Sequence, residues 1–275
     1  MLKTAFAYLA YSNLFIAIAA TCQTALYLSI HNVSLNKELL AFTFFATVIV
    51  YLFAVGYPKK NNINHSDNRI AWLSKNRNVM HFLMLISIIS CIILINYLDH
   101  QFEIITLAIF ALMYNLKFKF FNGFRAMPMF KIISIAFVWI MVCNVYPLLL
   151  YNIHFDFIEF IRISLKFIWI VALTIPFDIR DVFNDQKQNL ITIPSLIGTD
   201  NSYYLTYLLF SIVCVIQVFT FGLCNESLVV LTSSLLAVLF IINSKRRVSD
   251  FDYLIKLDGL LILQFLQFYI INILI

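Results

Sequence analysis

The chain has 275 residues, of which 62% are hydrophobic and only 12% are charged, and its mean hydropathy is +0.90. Because soluble globular domains carry about 25% charged residues, this composition excludes a soluble domain and indicates an integral membrane protein. The net charge of +5 comes from short segments between apolar runs, which indicates topology signals and no nucleic-acid-binding surface.

Nine apolar runs approach or reach the length that crosses a ~30 Å hydrocarbon core. In chain order they cover residues 5–30, 39–57, 78–98, 103–115, 130–151, 157–176, 203–223, 226–243 and 257–275. The fourth run is short and could be tilted or partly interfacial, and the first is too long for a cleaved signal peptide. The sequence therefore predicts an all-α, polytopic transmembrane bundle of about nine spans, with residues 1–275 forming a single domain.

Positively charged residues lie almost entirely on one side of this predicted bundle. Of the 19 Lys and Arg residues, all but Lys37, Arg162 and Lys166 fall in segments on the side of the N-terminus. Since cytoplasmic loops are enriched in Lys and Arg, we predict a cytoplasmic N-terminus. The longer, more polar loops share that side: 58–77, 116–129, 177–202 and 244–256. We expect a bacterial inner membrane and an active site on its cytoplasmic side.

Polar side chains within the apolar runs are interpreted structurally. Glu159, Arg162 and Lys166 have helical spacing, so we predict a local salt bridge with the basic side chains extending towards the membrane surface. Gln23 is expected to make interhelical hydrogen bonds. The cysteines show no C-x-x-C spacing and are interpreted as small buried hydrophobic residues rather than as metal ligands or disulfides: Cys22, Cys91, Cys143, Cys214 and Cys224.

The most informative segment runs from Pro176 to Lys187 and ends the sixth apolar run. Asp178, Asp181 and Asp185 have the spacing i, i+3, i+7, which places them on one face of a helix. Three carboxylates on one face repel one another unless a cation lies between them. Mg²⁺ prefers hard oxygen ligands and bridges to substrate phosphates, so it is the expected cation. The alternative is that these are ordinary charges at the end of a span.

Two stretches, residues 178–185 and 192–198, resemble the second aspartate-rich motif of the UbiA superfamily of intramembrane prenyltransferases. That motif reads D-x-R-D-x-x-x-D and is followed by T-[LI]-P-x-x-x-G. The predicted spans and the cytoplasmic position of the motif also agree with the family. The resemblance implies a large cavity open to lipid and Mg²⁺ ions held between two aspartate-rich motifs. It also implies transfer of a polyprenyl group from its diphosphate to an aromatic or other lipophilic acceptor.

The resemblance also implies roles for individual residues. Asp178, Asp181 and Asp185 correspond to the catalytic metal ligands of the second motif. A tyrosine followed by a basic residue after the fourth span loosely matches a further family feature, and the segment 128–131, which ends at Lys131, is another loose match. The candidate diphosphate-binding residues are Arg180, Lys187, Tyr114, Lys117 and Lys119. For the lysines, the alternative is a role as positive anchors at the membrane surface.

The first aspartate-rich motif of the family, N-x-x-x-D-x-x-x-D, is missing. After Tyr51 the sequence reaches its first carboxylate only at Asp67, well inside a predicted loop. Lys59 and Lys60 are hypothesised to neutralise a diphosphate directly in place of a metal ion.

We predict a prenyltransferase in which Mg²⁺ and basic residues stabilise the departing diphosphate, and an aromatic cavity excludes water from the allylic cation. The alternative function is a non-catalytic, UbiA-like protein that binds or transports a lipid. The missing first motif favours this alternative, whereas three retained carboxylates favour the enzyme.

Overall fold

The computed structural model describes residues 8–55, 68–113, 130–187, 190–244 and 250–274, and within them it contains helices and no strands. Two short irregular turns interrupt the helices, a 3₁₀ turn over Ile95–Tyr97 and a π-helical turn over Met141–Val145. In chain order the helices are α1 (Leu14–Ile30), α2 (Lys37–Val55), α3 (Asn68–Lys75), α4 (Arg77–Leu94), α5 (Gln101–Met113), α6 (Phe130–Ile140), α7 (Tyr146–Leu150), α8 (Phe157–Lys187), α9 (Ile193–Ile197), α10 (Thr199–Phe221), α11 (Asn225–Ser244) and α12 (Asp250–Leu274).

Seven segments of the described chain are long and apolar enough to cross a membrane. They coincide with seven of the nine predicted runs, and two shorter apolar helices, Leu14–Ile30 and Gln101–Ala111, coincide with the first and fourth. Helices are expected here because lipid offers the backbone no hydrogen-bond partners. The prediction of a multi-pass, all-helical membrane protein is therefore confirmed, whereas the count of nine spans stays a prediction.

Helix α8 is the longest element and carries the aspartate motif. Its 31 residues span about 46 Å, more than the ~30 Å hydrocarbon core. Pro176 lies inside the helix and cannot donate a backbone hydrogen bond to the carbonyl of Ala172. Asp178 lies about 32 Å along the axis from Phe157, so a ~30 Å core that began at Phe157 would end just before the aspartates. We call this side of the bundle the aspartate end and the other side the far end.

The π-helical turn between α6 and α7 has a local cause. Pro147 at the start of α7 has no N–H, and in a regular α-helix its ring would clash with the carbonyl four residues earlier. The wider turn over Met141–Val145 accommodates the proline. It also turns Cys143 and Asn144 into the interior, where both are buried.

The largest hydrophobic cluster is centred on α8, which packs most extensively against α10 and α6. Trp169 of α8 is almost completely buried, contacts Phe210 of α10 edge-on and donates a hydrogen bond of 3.0 Å to Ser234 of α11. Helix α1 packs against both α12 and α2, and α2 packs against α4. The α8 helix is thus held on several sides, which fixes the position of its polar side chains.

The far end contains a buried ionic network. Glu159 pairs with Arg162, as predicted, and also accepts a hydrogen bond of 2.7 Å from the hydroxyl of Tyr27. Arg162 also pairs with Glu226, with 3.2 Å between Arg162 Nε and Glu226 Oε2. The predicted extension of Lys166 towards the surface is wrong, because its ammonium lies inside the bundle and donates to Gln264 at 2.6 Å. Buried polar partners there replace the water that a surface lysine would use.

The interpretation of Gln23 is confirmed. The amide of Gln23 on α1 donates to the carbonyl of Leu261 and to the side chain of Gln264, both on α12, at 2.6 and 3.2 Å. These are the interhelical hydrogen bonds expected of a polar residue in a span. Of the five cysteines, Cys143 is buried as predicted, whereas the other four are only partly buried: Cys22, Cys91, Cys214 and Cys224.

Candidate functional site

Two of the three motif aspartates meet at one lysine. The ammonium nitrogen of Lys131, at the start of α6, lies 2.8 Å from Asp178 Oδ1 and 2.8 Å from Asp185 Oδ2. Asp178 and Asp185 are each only 3% exposed. The lysine therefore ties α6 to the end of α8 through two buried charge-assisted contacts. Lys131 was only a loose match in the sequence, and no local pattern identified it as the partner of these aspartates.

Helix geometry explains why Asp181 differs from the other two aspartates. At about 100° per residue, Asp185 is only about 20° around the axis from Asp178, whereas Asp181 is about 60° away. The Asp181 side chain is 32% exposed and pairs with its neighbour Arg180, whose Nε and Nη2 donate to it at 2.8 and 2.9 Å. The i, i+3, i+7 spacing thus produces a buried pair and one outlying carboxylate.

Arg180 is held beside two aromatic rings. Its guanidinium carbon lies 5.4 Å from the ring centre of Phe177 and 5.7 Å from that of Tyr253 on α12. Stacking on ring faces and pairing with Asp181 both restrict the guanidinium group to one position. For Arg180 to bind a diphosphate as predicted, the ligand would have to approach the guanidinium group beside the rings of Phe177 and Tyr253.

The second half of the motif forms a tight connection between α8 and α10. Thr192 precedes the short helix α9, and its backbone N–H donates to the hydroxyl of Ser195 at 2.9 Å. Pro194 occupies the first turn of α9, where a missing N–H costs little. Gly198 ends the connection with a φ of 83°, a conformation that other residues adopt only with strain. The order Thr192, Pro194 and Gly198 therefore has a structural explanation in this chain.

The carboxylate pair fits one divalent cation but not a complete cage. In the part of the chain that the structure describes, no three acidic, His or Cys side chains converge on one point. Asp178 Oδ2 is buried and has no hydrogen-bond partner among the described residues, so this oxygen could bind a cation. Mg²⁺ is commonly held by one or two carboxylates plus substrate phosphates and water. Asp178 and Asp185 supply two carboxylates, and sharing one ammonium leaves them with one net negative charge.

The remaining predicted residues of the site lie outside what the structure describes. Tyr114, Lys117 and Lys119 fall within the undescribed segment 114–129, and the side chain of Lys187 is also undescribed, although α8 ends at this residue. The residues that could replace the first motif, including Lys59, Lys60 and Asp67, fall within 56–67 and are likewise outside the described residues. Their roles stay predictions.

A large apolar cavity lies among α2, α4, α5 and the α6–α7 unit. Its volume is about 380 Å³. Trp139 lies on its wall and donates to the hydroxyl of Tyr51 at 3.1 Å, and Tyr146 reaches the carbonyl of Asp99 at 2.8 Å. The rest of the lining is predominantly aliphatic, with Val142 and Ile105 among its members. The sequence could not single out these residues because Phe, Tyr, Trp and Ile are equally common on lipid-facing surfaces.

The carboxylate pair and the apolar cavity share helix α6. Lys131 and Trp139 are eight residues apart, which is about 12 Å along the helix axis. An elongated ligand with an anionic head and an apolar tail could therefore place its head near Lys131 and its tail beside Trp139. This polar-to-apolar arrangement is what an amphiphilic phosphate ester requires.

Comparison with solved structures identifies the fold. A UbiA homologue from Archaeoglobus fulgidus bound to GPP and Mg²⁺ is similar with a TM-score of 0.69 and 15% identity, over 96% of this chain and 99% of that chain. An apo UbiA homologue from Aeropyrum pernix K1 gives 0.62 and 12%, over 95% and 98%. A digeranylgeranylglyceryl phosphate synthase gives 0.57 and 14%, over 100% of both chains.

Sequence comparisons do not extend this result. No protein-family model matches the chain, and no curated protein matches it. The similarity to solved structures nevertheless covers nearly the full length of both partners, and it includes the helix that ends in the aspartate motif. On this evidence the protein has the fold of the UbiA superfamily.

Proposed function

We propose that the protein is an intramembrane prenyltransferase that moves a polyprenyl group from a diphosphate donor to an aromatic or other lipophilic acceptor. The observation that carries the proposal is the buried pair Asp178 and Asp185, which meets the ammonium of Lys131 on the same helix whose Trp139, about 12 Å further along the axis, lines the apolar cavity. A further support is that a solved protein of the same fold binds GPP and Mg²⁺.

The chemistry follows from the charges at the aspartate end. The allylic C–O bond of the donor breaks, its electron pair goes to the diphosphate oxygen, and the acceptor forms the new bond and loses a proton. Asp178 and Asp185 would hold Mg²⁺, which supplies positive charge to the leaving diphosphate. With Asp178 and Asp185 engaged in holding the ion, the N–H groups of Lys131 would be available as donors to the diphosphate. Asp181 holds Arg180 in place nearby.

The apolar cavity would hold the prenyl chain and keep water away from the allylic cation. Its lining is mostly aliphatic and so binds water poorly, and the ring faces of Trp139 and Tyr51 can stabilise a passing positive charge. Because the hydroxyl of Tyr51 accepts a hydrogen bond from Trp139, the two rings hold each other in position.

The membrane arrangement is part of the proposal. We infer nine spans in a single domain over residues 1–275, with the seven long and two short apolar helices as the observed basis. The concentration of Lys and Arg at the aspartate end supports a cytoplasmic position for that end and for the N-terminus. A bacterial inner membrane stays the predicted location.

The test is binding of GPP to the purified protein, with Mg²⁺ and with EDTA, for the wild type and for Asp178→Asn. Wild-type binding should weaken at least about tenfold in EDTA, and Asp178→Asn should bind weakly in both conditions. Asp200→Asn is the matched control, because Asp200 is an exposed aspartate in the first turn of α10. It should behave as the wild type. A GPP affinity that is the same in Mg²⁺ and in EDTA, and the same for the wild type and Asp178→Asn, would contradict the proposed metal-dependent site.

One observation favours the non-catalytic alternative. The ammonium of Lys131 already neutralises part of the charge on Asp178 and Asp185, so the pair can be buried without a metal ion. A protein that has replaced its metal in this way would bind a prenyl diphosphate or another lipid without Mg²⁺ and would release no diphosphate. The binding experiment above therefore separates the two functions.

A further inference from the structure

A second cavity, which we call the far-end cavity, lies between α1, α8, α10, α11 and α12 and has a volume of about 50 Å³. Lys166 on its wall and Asp178 are twelve residues apart on α8, which is about 18 Å along the axis. The cavity is therefore separate from the aspartate site. Four side-chain amides line it: Gln23, Asn144, Gln217 and Gln264.

Among the described residues, three buried polar atoms of these lining side chains have no hydrogen-bond partner: Gln23 Oε1, Asn144 Oδ1 and Gln217 Nε2. The orientation of the Gln23 amide is set by its nitrogen, which donates to Leu261 O and Gln264 Oε1. The atom without a partner in this part of the chain is therefore the amide oxygen, which is an acceptor. Buried polar atoms are costly when unpaired, so a lining with three of them indicates an occupant that pairs with both acceptors and donors.

Lys166 adds further donors to the same wall. Within the described part of the chain, its ammonium donates one hydrogen bond, to Gln264 Oε1 at 2.6 Å, and lies 5.0 Å from the ring centre of Trp169. The Gln264 amide nitrogen donates in turn to Ser233 at 2.8 Å, which fixes that side chain as well. An ammonium has three N–H groups, so Lys166 retains donors for an occupant.

The charges around the far-end cavity cancel. Arg162 and Lys166 carry two formal positive charges, Glu159 and Glu226 carry two formal negative charges, and the imidazole of His31, which counts as neutral, lies 3.4 Å from Glu159. A bound anion or cation would leave a net charge inside a transmembrane bundle, which is expensive. Charge balance therefore favours an uncharged occupant.

The volume limits the size of the occupant. A cavity of about 150 Å³ binds one benzene molecule, and one water molecule needs about 10–15 Å³ on the same scale. At about 50 Å³, the far-end cavity has room for roughly three to five water molecules or for a group of a few heavy atoms.

We propose that the far-end cavity is a binding site for uncharged hydroxyl groups. One water molecule, or two alcohol hydroxyls together, can donate to the unpaired oxygens of Gln23 and Asn144 and accept from the unpaired nitrogen of Gln217, and Lys166 offers a further donor. The hydroxyls come either from an internal water cluster or from the head of a membrane alcohol. For the alcohol, Leu26, Val229 and Phe268, which form an apolar cluster on the cavity wall, would contact the chain.

The first experiment compares the unfolding temperatures of Gln217→Met and the wild type. If the cavity is occupied, the variant loses a hydrogen bond to the occupant and should unfold about 2–4 °C lower. If the cavity is dry, methionine removes an unpaired buried donor and the protein should become more stable. Gln267→Met is the matched control, because Gln267 lies on α12 outside the cavity and accepts from Thr232. An unfolding temperature unchanged from the control, or raised, overturns the proposal.

The second experiment identifies the source of the hydroxyls in the wild-type protein. Solid-state NMR in deuterated bilayers would measure magnetisation transfer to the side-chain amides of Asn144 and Gln217, with and without protonated 1-dodecanol. Transfer from water assigns a water cluster, and transfer from dodecanol protons assigns a membrane alcohol. Transfer from neither source overturns the proposal, independently of whether any variant folds.

Discussion

The ammonium of Lys131 is the group at the aspartate end whose removal should have the largest effect on stability. Lys131→Met retains an unbranched side chain but leaves Asp178 and Asp185 without their shared cation. Because one oxygen of each carboxylate lies 2.8 Å from the same nitrogen, those two oxygens are at most about 5.6 Å apart. At an effective dielectric constant of about 20, two unit charges at that distance repel by roughly 3 kcal/mol. Broken buried ion pairs cost a similar ~3–5 kcal/mol.

The assay is unfolding of the detergent-solubilised protein, followed by circular dichroism in EDTA and in Mg²⁺. In EDTA the free energy of unfolding should fall by about 3 kcal/mol in Lys131→Met. Mg²⁺ should restore part of this loss, because the ion can occupy the position that the ammonium has left, and binding to the folded state alone stabilises it. The wild type should respond less to Mg²⁺, since its ammonium competes with the ion.

The matched control is Lys75→Met, which removes an exposed lysine from the end of α3. Its free energy of unfolding should change by less than about 0.5 kcal/mol. The reasoning fails if Lys131→Met is as stable as this control in EDTA, because then the carboxylate pair does not need the ammonium. It also fails if Mg²⁺ leaves the stability of Lys131→Met unchanged.

Three further predictions concern the same site and its orientation. Asp181→Asn should cost less than about 1 kcal/mol of unfolding free energy, well below Asp178→Asn, because Asp181 is partly exposed and its ion pair is with the adjacent Arg180. In a cysteine-free background, a membrane-impermeant thiol reagent applied to intact cells should label His154→Cys but not Asp200→Cys, because the proposed topology places the far end outside the cell and the aspartate end in the cytoplasm. Val142→Trp should fill part of the apolar cavity and weaken GPP binding about tenfold, about 1.4 kcal/mol, without changing inorganic diphosphate binding; calorimetry measures both.

Apolar run length predicted the bundle well because lipid leaves the backbone few choices. A run of apolar residues in a membrane must satisfy its own hydrogen bonds, so it becomes a helix whatever its side chains are. The predicted runs 203–223 and 226–243 correspond closely to spans Thr199–Phe221 and Asn225–Asn243. The π-helical turn at Met141–Val145 was missed, although Pro147 inside an apolar run is a signal for a local irregularity.

The candidate site was only half predictable, for a physical reason. Helical periodicity places Asp178 and Asp185 together because they are neighbours on one helix. Their partner Lys131 comes from a different helix, and no periodic pattern connects α6 to α8. Lys166 was misjudged for the same reason: its partner Gln264 is on α12, so the sequence around Lys166 gives no sign that a buried position could satisfy it.

Helix α8 carries buried charges at two levels, and the difference between them indicates what each level can bind. At the aspartate end, Asp178 and Asp185 share the ammonium of Lys131, which leaves one formal negative charge, and among the described residues Asp178 Oδ2 has no hydrogen-bond partner. Adding a divalent cation together with an anionic diphosphate is electrostatically reasonable there. At the far end, Glu159, Arg162 and Glu226 form a chain of ion pairs, and Lys166 lies on the wall of the same cavity, so the four formal charges cancel. The same low-dielectric surroundings that favour an ion pair at one end therefore oppose any ion at the other and leave hydroxyl groups as the suitable occupant.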